Sequence, residues 1–396
     1  MITGILTTGI IVLAIIIGLI LLALEWQYRG RPGNALELKS GEWHLAVAEP
    51  DKYLLVGEVE LCNRTKSLEI MVPEVQAEVK LLSGGSLEGV IYETQIIPFH
   101  EDVPARADEY WFAYIVKVGK KTKLKISINI QGHNLDQLKS AWIKVNYITY
   151  GPEGRIPKLS HIIVPLKFPD PNATLNQREA TNAKVFPIPT HLLTQLDDPI
   201  QVIERYVMPH AQKGDIVTIG ETPLALIQGR FRHPTEIKPG WVAKRICYFF
   251  LPTSSLATAC GMQTLVDVVG PVRVFMAFIG GSIAKILGKP GMFYQFAGEQ
   301  ARLIDDVTGT LPPYDQFIVL GPENPQQVVE QIQAATGLGA AIVDVNDLKA
   351  VKILAATSNV SESFLEQALR SNPAGNADEQ TPVVLIRPLR SEGTSK

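Results

Sequence analysis

Two acidic spots in this chain have the residue types for metal-assisted chemistry. Ile304-Asp305-Asp306 and Val343-Asp344-Val345-Asn346-Asp347 each place carboxylates at the end of an apolar run. Carboxylates at a strand end or loop can hold Mg²⁺ or Mn²⁺, which prefer oxygen ligands and usually keep waters or substrate phosphates. A cation held there would neutralise nucleotide phosphates during a transfer reaction. Asp305 and Asp344 are therefore the candidate metal ligands. Aspartate pairs also serve turns and helix caps, where they bond only their own backbone.

A second candidate lies between Lys213 and Pro234. Gly214-Asp215 is a turn feeding a buried strand. Glu221-Thr222 and then Gln228-Gly229-Arg230-Phe231-Arg232-His233-Pro234 put polar and cationic groups where hydrophobic segments end. Strand ends are where α/β proteins place ligands. Glu221, Thr222, Gln228 and Gly229 are candidate cofactor contacts. Arg230 and His233 are candidate catalytic groups that would orient a small anionic substrate, because guanidinium offers paired donors to planar oxyanions. The plainer alternative is a solvated cationic loop pairing with Glu236 or Asp215. A third stretch, Gly280 to Gly291, is rich in glycine and lysine but fails the spacing of a phosphate loop.

Three regions would position these groups. From about residue 40 to 169 the texture is all-β. Alternating runs at 53–61, 68–73, 75–81, 110–118, 124–130 and 142–150 are separated by turns such as Asn63-Arg64-Thr65, Gly84-Gly85 and Gly151 to Gly154. Short strands at this spacing predict an antiparallel β-sandwich. The sandwich shows no acid pair, metal cluster or nucleophile set. A polar linker follows at 170–178, and residues 182–390 read as mixed α and β. Helices are expected at 198–207 (capped by Asp197 or Asp198, with Pro199 first), at 325–335 (capped by Asn324) and at 361–370. Strands are expected at 215–219, 317–320, 340–343 and 382–386. The fold class is α+β.

The first 24 residues carry no charge. A helix of about 20 such residues spans a bilayer core. A cleaved signal peptide would carry a basic residue before the run and a pair of small residues at its end; Leu21-Leu22-Ala23-Leu24 offers one. The expectation is a transmembrane anchor in 1–28, contacting the membrane through residues 2–24. Arg29 and Arg31 favour leaving the bulk of the chain cytoplasmic. A second apolar region, 256–288, is interrupted by Asp267, Gly270-Pro271 and Arg273, and a charge or a Pro–Gly break is costly inside lipid. It is expected to be a buried helix or a membrane-touching insertion. A net charge of −3 and no basic block exclude nucleic acid as an expected partner. The three scattered cysteines give neither a disulfide framework nor a zinc site.

Taken in order, Gly214-Asp215…Gly229-Arg230, Ile304-Asp305…Leu320-Gly321-Pro322-Glu323-Asn324-Pro325, Ile342-Val343-Asp344 and the closing Thr381 to Arg387 resemble the γ-glutamyl ligases that act on coenzyme F-420-0. The resemblance covers the C-terminal half, leaving the anchor and the sandwich outside it. It implies GTP as co-substrate, Mg²⁺ or Mn²⁺ held by Asp305 and Asp344, an acyl-phosphate on the substrate carboxylate, attack by an amino group, and a homodimer. At the position of the family's Ser-Lys this chain has Glu221-Thr222-Pro223. The alternative function is a non-catalytic, membrane-tethered binding or assembly module on the same fold.

Overall fold

The computed structural model describes residues 2–29, 35–104, 106–152, 154–180, 182–306, 311–345, 350–375 and 379–389. The expected Asp347 lies outside them. The protein is α+β, with an apolar first helix followed by antiparallel sheets and then mixed α/β structure. Two compact units form. One gathers Met1–Glu78, Val90–His133 and Lys144–Ser160; the other gathers Val79–Gly89, Asn134–Ile143 and His161–Lys396.

Helix α1 (Ile2–Arg29) follows from the uncharged start of the chain. Its stretch Gly9–Gln27 is long and apolar enough to cross a membrane, and none of it is buried against protein. Membrane anchors and signal sequences share that character.

The sandwich strands are β1 (Leu36–Glu49), β2 (Lys52–Asn63), β3 (Ile70–Ser83), β4 (Ile91–Phe99), β5 (Tyr114–Val116), β6 (Lys121–Gln131), β7 (Leu138–Gly151) and β8 (Gly154–Pro165). They form two four-stranded sheets, β1-β2-β6-β4 and β5-β3-β7-β8. Period-2 alternation explains β6: Leu124, Ile126, Ile128 and Ile130 are buried while the intervening side chains are not. Each such burial stabilises by about 1.5–3 kcal/mol. The strands expected at 68–73 and 75–81 are one continuous β3 through Pro73, and the run at 110–118 shortens to β5. β1 starts before the expected boundary at 40 and carries a bulge between Lys39 and Glu42, where Gly41 adopts φ 63°. Gly57 is required by contact, because a Cβ there would lie 2.3 Å from the ring of Trp43, its cross-strand partner.

In the second unit the elements are β9 (Arg178–Glu179), β10 (Ala183–Ile188), α2 (Pro199–Tyr206), β11 (Ile216–Gly220), α3 (Glu221–Ile227), β12 (Phe231–Arg232), α4 (Trp241–Ile246), α5 (Ala259–Val269), α6 (Pro271–Ile286), α7 (Met292–Ala297), α8 (Gln300–Leu303), β13 (Asp305–Asp306), β14 (Ile318–Val319), α9 (Pro325–Thr336), β15 (Gly339–Val345), β16 (Val351–Ala356), α10 (Glu362–Leu369) and β17 (Val383–Pro388). The main sheet runs β16-β15-β11-β17-β10-β9, and a small one runs β12-β14-β13. Among the described pairings of the main sheet only β11 and β15 are parallel.

Side chains of β11, β15 and β17 alternate between two cores. Val217, Ile219, Ala340, Ile342, Val383 and Leu385 pack with α2 and α9. Ile216, Ala341, Val343, Val384 and Ile386 pack with α10. Strands clad on both faces read as continuous apolar runs, as these do. Asp198 caps α2 as expected, accepting from the amides of Ile200 and Gln201. Asn324 does stand at the start of α9, but in the left-handed region and without a side-chain capping bond. Asp215, buried at the foot of β11, pairs with Arg387 at 2.8 Å. The apolar region 256–288 is the helix pair α5 and α6, bent by 112° at Gly270-Pro271.

Candidate active site

The parallel pair fixes the geometry of the site. β11 and β15 run side by side with Gly220 opposite Val343, so both end at the same edge of the sheet. Glu221 therefore opens α3 beside Asp344, and a cavity of about 290 Å³ lies beyond the strand ends. That edge is where open α/β sheets bind ligands. β13 brings Asp305 to the same cavity, held by antiparallel pairing of Asp305 with Val319. The remaining walls include Thr190, Thr218, Tyr314 and the turn from Asn372 to Gly375.

Three carboxylates so placed repel one another. Burial pushes the Glu221 carboxyl up to about 8, and the charges of Asp344 and then Asp305 push in the same direction. Lys352, which faces Asp344 across the β15–β16 ladder, opposes the shift, while Glu299 adds to it. Near neutral pH Glu221 is thus largely protonated. Asp305 stands at the mouth with much of its surface in solvent, yet loss of water around its carboxyl, followed by the charge of Asp344, raises its proton affinity too. Glu221 Oε2 and Thr218 Oγ1 are buried oxygens with no hydrogen-bond partner. A buried polar atom left unmatched costs about 1–3 kcal/mol, so both oxygens are suited to meet a ligand.

Asp305 and Asp344 offer hard oxygen donors of the kind that divalent cations take. Among the described residues no three of His, Cys, Asp and Glu converge on a metal position. Asp305 and Asp344 would supply two oxygens, and water or ligand oxygens would complete the shell, the pattern Mg²⁺ favours. No lysine or arginine lines the cavity among the described residues.

The residues singled out by sequence divide into two groups. Glu221, Thr222, Asp305 and Asp344 line the cavity; Gln228, Gly229, Arg230 and His233 do not. Gln228 exchanges two hydrogen bonds with the backbone of Glu323, and Gly229 closes the end of α3 with φ 67°. Arg230 turns away from the cavity. Its Nε donates to the carbonyl of Gly321 at 2.5 Å, and its guanidinium pairs with Glu323 and reaches Gln300 Oε1 at 3.3 Å. His233 Nδ1 contacts Thr235 Oγ1 at 2.7 Å, and its ring stacks on His161 at 4.8 Å. The two cationic groups expected to orient an anion are instead used to hold turns. The reason is the length of α3: its seven residues carry Gln228 and all that follows to the end of the helix remote from Glu221. Nor does the loop pair with Asp215, since Arg232 bonds Asp267.

Sequence reasoning missed Thr218, Thr190 and His191. Thr218 was detectable as the one hydroxyl within the apolar run Ile216 to Ile219. His191 lines the cavity, but Nδ1 engages the hydroxyl of Tyr206 and Nε2 engages Asp197, both at 2.8 Å.

Comparison with known proteins touches the sandwich. No curated protein matches the chain. Among solved structures, the yeast GGA1_GAE domain-P21 is 15% identical over 34% of this chain and 94% of its own, with a TM-score of 0.19. An Archaeoglobus fulgidus protein is 16% identical over 34% and 100%, with a TM-score of 0.17. The YadV chaperone is 10% identical over 40% and 68%, with a TM-score of 0.20. Likenesses at these scores carry no inference. The informative match is a family model: residues 37–168 match "F420-0:gamma-glutamyl ligase, N-terminal Ig-like domain". The match falls on the region that the sequence resemblance had left out, and its own C-terminal landmarks are not matched. Residues 37–168 are thus similar to the N-terminal Ig-like domain of the γ-glutamyl ligase family.

Proposed function

We propose that this protein is a membrane-anchored amide ligase of the γ-glutamyl type, using a nucleotide (GTP by resemblance) and Mg²⁺ or Mn²⁺. The carrying observation is that Asp305 and Asp344, distant in sequence, face one cavity at the carboxyl ends of β11 and β15. In this reading Asp305 and Asp344 hold the cation, which supplies positive charge for nucleotide phosphates and for an activated carboxylate. Thr218 Oγ1 is available to the ligand as a hydroxyl donor. Glu221 holds a proton while the cavity is unneutralised. Once positive charge stands beside the two aspartates, the proton affinity of Glu221 falls, and its carboxylate can accept the proton released as the amine forms the amide and phosphate departs. Residues 2–24 anchor the chain, Arg29 and Arg31 keep its bulk cytoplasmic, and two copies associate as in the ligase family.

A second reading has its own support. With no lysine or arginine lining the cavity among the described residues and Arg230 committed to a turn, the fold also suits a non-catalytic, membrane-tethered binding or assembly module. Full-length protein in detergent, titrated with a fluorescent GTP analogue with and without Mn²⁺, separates the two. The ligase reading expects Mn²⁺-dependent binding that is lost in Asp305→Ala and in Asp344→Ala. No binding, or binding that survives both substitutions, removes the ligase reading and leaves the module.

A further inference from the structure

Helix α6 is amphipathic in the inverse sense. Its small-residue face is buried: Val274 and Ala277 are in the core, and Gly281 lies so close to Phe293 that a Cβ would come within 2.9 Å of its backbone. The opposite face presents Val272, Met276, Ile279, Ile283, Ile286 and Leu287 to solvent, with Ile286 at 85% exposure. At 100° per residue these six fall within one stripe about 100° wide. Nearby in sequence, Tyr248, Phe249 and Leu251 are each more than 70% exposed, and Trp241 is exposed at the start of α4. Soluble domains rarely leave so much contiguous apolar surface without a partner.

The charges around the patch indicate which partner. Lys238, Lys244, Arg245, Arg273, Lys285 and Lys289 are all exposed. Between Lys238 and Gly298 the only acid is Asp267, and it is already bonded to Arg232 and Gln263. A second copy of this face would bring cations against cations, whereas anionic lipid headgroups would neutralise them. Apolar side chains at the level of the acyl chains, exposed Trp and Tyr, and lysines at the headgroups are the composition of an interfacial helix.

We propose that α6, with the Tyr248–Leu251 segment, is a second membrane contact that lies in the plane of an anionic bilayer without crossing it. It requires neither catalysis nor the anchor, although an N-terminal span would keep the patch at high local concentration beside lipid. The bend at Gly270-Pro271 suits this role: it turns α6 by 112° from the axis of α5, whose Gly261 to Val266 run is buried, so the two do not form one straight rod.

The test uses full-length protein in nanodiscs, with Cys260→Ser and Met276→Cys labelled by an environment-sensitive fluorophore; Cys62 and Cys247 are buried. Expected is a blue-shifted label quenched by nitroxide-chain lipid in discs rich in phosphatidylglycerol, with much weaker quenching in phosphatidylcholine. A label at Glu366→Cys on α10 stays unquenched. Charge removal by Lys285→Gln with Lys289→Gln should weaken the contact about 25-fold, at about fivefold for each lysine. Ile283→Cys replaces Met276→Cys if the latter does not unfold like the parent. An unquenched label in both lipids overturns the proposal. So does quenching indifferent to lipid charge, or a label shielded only when two chains share a disc. Carbonate extraction of the same membranes reads the N-terminal anchor separately, so the two readings can fail independently.

Discussion

Replacing Glu221 by glutamine keeps the shape of the side chain and removes its charge. In the folded protein this carboxyl titrates near 8, against an ordinary value of 4.5. The folded state therefore binds the proton more tightly than the unfolded chain. Below about pH 4.5 both states are protonated and Glu221 has no net effect. As pH rises towards 8 the unfolded chain releases its proton first, and stability falls with pH across that window. At about 1.4 kcal/mol per tenfold change in proton affinity, the full displacement sets an upper bound on the order of 5 kcal/mol; relaxation and water entry reduce it to about 2–4. Thermal unfolding of the second unit, compared between parent and Glu221→Gln from pH 4 to 9, should show no difference at the acid end. The variant should gain progressively from about pH 4.5 and level off near pH 8, with a Tm advantage of about 2–4 °C per kcal/mol. Glu236, pushed up to about 7 by burial, is common to both proteins and cancels in the comparison. Identical pH slopes for the two proteins would refute the three-carboxylate account, as would a variant less stable than its parent at pH 9.

Further outcomes follow from the same geometry. Asp215→Ala removes the buried carboxylate that pairs with Arg387 on the inner strand β17 and should cost about 2–4 kcal/mol by denaturant unfolding; a loss below about 0.5 would show that the pair is idle. Gly57→Val must displace the Trp43 ring, with a loss of about 1–3 kcal/mol and a red-shifted tryptophan emission. Arg230→Ala leaves the Gly321 carbonyl and Glu323 without their partner, costing about 1–3 kcal/mol in stability while leaving Mn²⁺ affinity unchanged by calorimetry. A large change in Mn²⁺ affinity would return Arg230 to the site.

Legibility in the sequence followed local regularity. The alternation of β2, β6 and β7 was readable because nothing interrupts it. β1 was not, because the bulge at Gly41 shifts its phase, and β4 was not, because apolar Ile91 and Tyr92 face outward. Carboxylates at strand ends singled out Asp305 and Asp344 as candidate ligands, and both line one cavity, a juxtaposition that their sequence positions did not reveal. Arg230 misled because a glycine–arginine pair after a helix serves a turn as readily as it serves an anion. Which use prevails depends on Gly321 and Glu323, about ninety residues away. The Asn372–Gly375 wall was beyond a linear reading, because only the folding of distant segments around the ends of β11 and β15 sets it beside one space.

The strand order carries a consequence for biosynthesis. β17 comes after every other strand of the main sheet, yet its place is between β10 and β11. Until it arrives, those two strands have unfilled edges of the kind that recruit stray chains. A growing polypeptide therefore carries an open gap from the synthesis of β11 until Val383 to Pro388 leave the ribosome, and a product truncated before them would keep that gap permanently. Chaperone dependence and proteolytic clearance of such fragments should track this one six-residue segment more closely than any other in the chain.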